Sequence, residues 1–172
     1  MRIGVLADTH IPDILRELPP RVLDAFSSVE IVLHAGDITS LDVLQALQER
    51  ASLTFAVYGE NDPPGVRRYL QESQVLEFGG VRIGLIHGNL ERKRRDKLTA
   101  LLNPKGFERK VQDEVLSQFK EVDAIVYGAT HRAFAKMRNG RFLFNPGSIV
   151  PRAPGGPSVG LLEITGRGIS GR

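Results

Sequence analysis

The chain has 172 residues, 41% of them hydrophobic and 25% charged, the make-up of an ordinary globular protein, which excludes a disordered or low-complexity chain. It has no cysteine, so disulfides, thiolate metal sites and thiol nucleophiles are excluded, and any metal must be held by His, Asp, Glu, Asn or backbone oxygen. A formal net charge of +3 is too modest to argue by itself for a nucleic-acid partner.

The length predicts a single domain over residues 1–172. Arg2 to Ala7 reads as a buried strand that Asp8 ends, too short an apolar stretch for a secretory signal. Leu15, Leu18, Val22, Leu23 and Phe26 have helical spacing, broken or restarted by Pro19 and Pro20. A strand at Ile31 to Leu33 leads to His34, Gly36 and Asp37, and Ser40 is placed to cap a helix carrying Leu41, Val43, Leu44 and Leu47. A third strand, Leu53 to Tyr58, stops at Gly59; strands alternating with helices predict a parallel α/β sheet. Val75 to Phe78 and Val81 to Ile86 are two strands joined by Gly79-Gly80, with His87-Gly88 at the end of the second. Leu98 to Phe119 is expected to be helical with a break around Pro104 and Gly106. Ala124 to Tyr127 is a buried strand followed by Gly128 to His131, and Asn139-Gly140 predicts a hairpin between Ala133 to Met137 and Arg141 to Phe144. A last strand runs from Val159 to Ile164, after which 165–172 is expected to fray. No run approaches the roughly 20 apolar residues of a membrane span, so the expected setting is the cytoplasm, with no membrane contact.

The metal-capable residues fall in a pattern. Asp8 and His10, Asp37, Glu60, His87 and His131 each lie just past the end of a predicted apolar strand. In α/β sheets the loops at that edge converge, and ligands bind there. Taken singly, each residue is equally well a turn, a helix cap or a hydrogen-bonded core histidine; their recurrence at one sheet edge is what predicts a site.

The order of these motifs resembles the calcineurin-like metallophosphoesterases, in particular the small phosphodiesterases of the YfcE type. Asp8-Thr9-His10 matches D-x-H, Gly36-Asp37 matches G-D, and His87-Gly88 matches the start of H-G-H. Gly128-Ala129-Thr130-His131 matches G-H-x-H in part, and Asn145-Pro146-Gly147-Ser148 matches the N-P-G-S that often follows. The resemblance implies a four-layer α/β/β/α sandwich of the metallo-dependent phosphatase type and a site for one or two divalent ions bridged by Asp37. Asp8, His10, Asp37 and His131 would hold the first ion; Asp37, His87 and Glu60 would hold the second. Manganese is the first expectation for the metal, with iron, nickel or zinc as alternatives.

The sequence departs from the family pattern in the second site. Gly59-Glu60-Asn61-Asp62 puts Glu60 in the usual Asn position, unless a one-residue shift gives that role to Asn61. Ala129 replaces the first His of G-H-x-H, Asn89 replaces the second His of H-G-H, and Asn61 stands where many phosphatases of the superfamily have an assisting histidine. Asp37 and Asn61 are therefore the candidate catalytic residues, Asn61 also as a substrate contact. The resemblance implies hydrolysis of a phosphodiester by metal-activated water, on a phosphoester small molecule or nucleotide-like substrate. The alternative is a weak or inactive metal-binding scaffold of the same fold, as in the small retromer subunit, which resembles this chain in its acidic residue at the Glu60 position. The basic cluster of Arg92, Lys93, Arg94, Arg95 and Lys97 reads as a solvated helix face before it reads as a nucleic-acid site. No pattern in the sequence announces an oligomer.

Overall fold

The computed structural model describes residues 1–88, 101–166 and 168–172. Strands β1 (Arg2–Leu6), β2 (Ile31–Ala35) and β3 (Leu53–Val57) pair in parallel, extended at one side by antiparallel β9 (Gly160–Thr165) and β10 (Gly168–Gly171). This sheet has the order β10-β9-β1-β2-β3. The second sheet contains β4 (Ser73–Phe78), β5 (Val81–Ile86), β6 (Ala124–Val126), β7 (Ala133–Arg138) and β8 (Arg141–Pro146), in the order β4-β5-β6-β8-β7. Here β5, β6 and β8 run parallel, and hairpins attach β4 and β7 at the two edges.

Strand periodicity separates the layers, because successive side chains point to opposite faces. Ile3, Val5 and Leu33 from the first sheet meet Ile83, Leu85, Val126 and Phe144 from the second in one buried core. On the outer face of the first sheet, Leu6 and Val32 pack with Val22 of α1 (Pro20–Ala25) and with Leu44 and Leu47 of α2 (Asp42–Gln48). Beyond α3 (Pro64–Tyr69), helix α4 (Pro104–Gln118) covers the outer face of the second sheet: Phe107, Val111 and Val115 pack on Ile86, Ile125 and Leu143. The result is the expected four-layer α/β/β/α sandwich. Two strand glycines set the layer spacing. A Cβ on Gly4 of β1 would lie 2.7 Å from Phe26 Cδ1, and one on Gly84 of β5 would lie 2.8 Å from Phe119 Cδ2.

Several local expectations are corrected. The break expected around Pro104 is present, with Asn103 non-helical between helical residues 101–102 and Pro104, but Gly106 lies inside α4; proline at the first helical position forfeits no hydrogen bond, and Asn103 Oδ1 accepts from the Gly106 N–H at 2.9 Å. Ser40 lies one residue ahead of the cap position Leu41, although its Oγ accepts from the Asp42 N–H at 3.2 Å. The tail expected to fray instead forms β10, with Leu161 and Arg172 exchanging two backbone hydrogen bonds of 2.8 and 3.0 Å. Both predicted glycine turns are present: Gly79-Gly80 and Asn139-Gly140 have φ of 58° and 78° and of 50° and 76°, the left-handed values that match the twist of a hairpin. No helix of the described residues is long and apolar enough to cross a membrane.

Candidate metal centre

The loops leaving β1, β2, β5 and β6 converge at one edge of the sandwich. Four of the candidate ligands they carry have left-handed backbones: Asp8 (φ 53°), His10 (49°), Asp37 (55°) and His131 (54°). Side chains with a Cβ adopt this region at a cost, so surrounding contacts must hold it. The Asp8 N–H donates to Gly36 O at 2.9 Å, the His10 N–H to Asp37 O at 3.1 Å, and Ser148 Oγ to Asp8 O at 2.7 Å. Behind the ligands, the buried Asp62 carboxylate accepts the backbone N–H groups of Asp37 (3.1 Å), Thr39 (2.6 Å) and Gly59 (2.6 Å), fastening the β2 and β3 loops to each other. Thr9 Oγ1 stands 3.1 Å from Nε2 of buried His34 and 3.3 Å from Ile38 O, which ties the β1 loop to β2.

Two groups of donors result. Asp8, His10 and His131 form one; Asp8, Asp37 and His87 form the other; within each, the donor atoms lie within 4.8 Å of one another. Asp37 Oδ2 is 3.7 Å from His10 Nε2 and 3.4 Å from His87 Nε2, and so stands between the two groups. Asp8 Oδ1 is 3.3 Å from His131 Nε2 and 3.8 Å from His87 Nε2. His10 Nε2 and His131 Nε2 face each other at 3.3 Å.

The donors fit a divalent cation. His87 Nδ1 lies 2.7 Å from Ala35 O and must donate to it, so that Nε2 turns a lone pair toward the cluster. That Nε2 and both carboxylate oxygens of Asp8 are buried without a hydrogen-bond partner. A buried carboxylate without a hydrogen-bond partner costs several kcal/mol, by order of magnitude, unless a positive charge compensates it. Oxygen and imidazole ligands of this kind suit the first-row divalent ions. Without metal, protons take up part of the compensation. Burial works to lower the His87 pKa, but the carboxylates of Asp37 and Asp8 raise it to about 9. His131 is also raised, the pull of Asp8 overcoming burial, whereas burial prevails at His10 and lowers it. Asp37 is held below the usual carboxylate range: burial opposes this, and His87 together with hydrogen bonds from Asn61 outweighs it.

Of the predicted site residues, Asp8, His10, Asp37, His87 and His131 are brought together. Asn61 joins them at the rim, its N–H 2.9 Å from Asp37 Oδ1 and its Nδ2 2.6 Å from Asp37 Oδ2. Glu60 belongs to neither donor group, and its carbonyl accepts from Arg67. The side chain after Gly59 that reaches Asp37 is therefore Asn61, as the one-residue shift in this loop would have it. Ala129 is buried with φ 66° beside Gly88. Asn89 and the basic cluster Arg92 to Lys97 lie outside the described residues. Sequence reasoning assigned no role to Asp62, Thr9 or His34, because backbone acceptors reached across loops leave no spacing to read. Asn145 Nδ2 bonds to Gly128 O at 2.8 Å, and with Ser148 it makes the N-P-G-S segment the floor of the site rather than a plain turn.

Comparison with known proteins agrees with this geometry. Residues 1–167 match the family model of the calcineurin-like phosphoesterase superfamily domain. A probable metallophosphoesterase of Methanothermobacter thermautotrophicus is 38% identical over 96% of this chain and 87% of its own. A phosphodiesterase of Methanocaldococcus jannaschii is 25% identical over 95% of this chain and 93% of its own. Among solved structures, Vps29 of Entamoeba histolytica complexed with zinc is 25% identical, covering 99% of this chain and 90% of that one with a TM-score of 0.70. The chain belongs to the calcineurin-like phosphoesterase superfamily.

Proposed function

We propose that this protein is a divalent-metal-dependent phosphodiesterase acting on a small phosphoester or nucleotide-like substrate in the cytoplasm. The observation that carries the reading is that both Asp8 carboxylate oxygens and His87 Nε2 are buried without a hydrogen-bond partner, with Asp8 Oδ1 3.8 Å from that nitrogen. Asp8, His10 and His131 would hold one ion, and Asp8, Asp37 and His87 a second, with manganese the first candidate. Ions bound there would supply Lewis acidity to the phosphate and lower the pKa of the attacking water. Asp37 keeps its charge because Asn61 and His87 both stabilise the carboxylate. Asn61, exposed at the rim, is placed to orient a phosphate oxygen with its amide. It has no proton to give a leaving group at neutral pH, so diesters with acidic leaving alcohols are the favoured substrates.

Hydrolysis of bis(p-nitrophenyl) phosphate with added manganese tests this. Wild type should turn over and lose activity to a chelator, and Asp37→Ala should fall by at least about 100-fold, the scale expected for losing a charge that acts in the transition state. No metal-dependent turnover by wild type overturns the reading. The second reading, a metal-binding scaffold, draws support from Ala129, which offers no ligand at a position deep beside the cluster. Elemental analysis and Ala129→His decide between the two: one bound ion, with activity gained on restoring the histidine, favours the scaffold.

A further inference from the structure

A shallow open groove runs down the flank of the second sheet, between α4 and the outer face of edge strand β7; Lys105, Arg109, Phe134, Lys136 and Arg138 are among its lining residues. Its course follows from the topology. β7 begins two residues after His131 and, at a spacing of two residues, carries Phe134 and Lys136 on one face. In α4, Val111 packs at the level of Gly88, where a Cβ would come within 3.0 Å of Val111 Cγ1. With a rise of about 1.5 Å per residue, Lys105 lies about 9 Å along the helix from that level. The groove thus lies on the outer face of the second sheet, and none of its lining residues is a candidate metal ligand.

Its lining carries four cations, Lys105, Arg109, Lys136 and Arg138, against the single carboxylate of Glu108. Arg138 is held by Gln112 Oε1 at 3.0 Å and by Asp113, and Glu108 is engaged by Gln112 Nε2 at 3.3 Å. Lys105, Arg109 and Lys136 are exposed and, among the described residues, have no carboxylate partner. Phe134, half-buried between them, offers an aromatic surface. Cations with an aromatic platform between them are what a single strand of nucleic acid requires: its phosphates pair with the cations and its bases stack. We infer that this groove seats a single-stranded nucleic acid. The inference rests on the phosphodiesterase reading only for its choice of a phosphodiester polymer over an acidic peptide.

Fluorescence anisotropy of a labelled 12-mer of deoxythymidylate on the full chain tests it. With three cations engaged, wild-type affinity should weaken about 20-fold between 50 and 200 mM salt. Lys105→Gln/Arg109→Gln/Lys136→Gln should bind at least about tenfold more weakly at the lower salt, with less than about twofold salt response. A variant with the same charge loss elsewhere, Arg21→Gln/Arg50→Gln/Lys120→Gln, should bind as wild type does, and unchanged thermal unfolding of both variants secures their folds. Equal weakening in the two triple variants, wild-type affinity in the groove variant, or displacement by polyglutamate as effective as by unlabelled oligonucleotide overturns the inference. The chromogenic diester assay on wild type separates the two claims. Binding without hydrolysis sinks the phosphodiesterase reading alone, and hydrolysis without groove-dependent binding sinks the groove alone.

Discussion

His34 sits in full burial behind the metal-binding loops, and its protonation state is set by one contact. Thr9 Oγ1 gives its proton to the carbonyls of Asp37 and Ile38, so it accepts from His34 Nε2, and Nδ1 is left without a partner. A second proton would have to be buried with no acceptor; burial accordingly lowers the pKa of this imidazole to about 3. Because the folded pKa is depressed, the folded chain stays neutral while the unfolded chain takes up a proton below about pH 6.5. His34 therefore costs stability as pH falls from about 6.5 toward 3, and nothing above that window. At pH 5 the penalty is about 2 kcal/mol. His34→Gln keeps a donor for Thr9 and does not titrate. Urea unfolding at pH 7.5 and pH 5 should show the variant gaining about 2 kcal/mol on wild type at the lower pH, and equal pH dependence in the two proteins would refute the assignment.

At the level of elements, the two strand glycines under Phe26 and Phe119 govern how closely helix and sheet approach. Gly84→Ala places a methyl group against the Phe119 ring, and overpacking of this kind costs about 1–3 kcal/mol. The loss should appear as a lower urea midpoint with unchanged slope. The strands themselves were largely legible in sequence, because Ile3, Val5, Leu33, Ile83 and Val126 are apolar residues in short runs closed by Asp or Gly. Helix α3 was not, since Val66 is its only buried residue and no apolar stripe forms. Strand β10 escaped for a related reason: in Gly-Ile-Ser-Gly a single apolar side chain, Ile169, packs on the core, and the strand exists because the edge of β9 offers it a ladder. In the candidate site, the ligands were legible by their places after the strands. The choice of Asn61 over Glu60 and the bracing by Asp62 were not, because both depend on the path of the loop between Gly59 and Pro63.

For the whole molecule, the long-range pairing of the chain's two ends matters. The Met1 amino group donates to Ile164 O, Arg2 pairs with Glu163, and β9 and β10 close the first sheet beside β1, the strand that leads into the Asp8 loop. Removing residues 168–172 strips the ladder from β9 and uncovers Ile164. That should cost about 2 kcal/mol, read as a fall of about 4–8 °C in calorimetric Tm. An unchanged Tm would mean that β10 contributes nothing to the fold.

The bent backbones at Asp8, His10, Asp37 and His131 bear on how such a protein can change over time. A glycine would occupy each of these positions without steric cost, whereas the residues present carry about 1 kcal/mol apiece. Drift that discards them runs downhill in free energy, so the sandwich can outlive its chemistry.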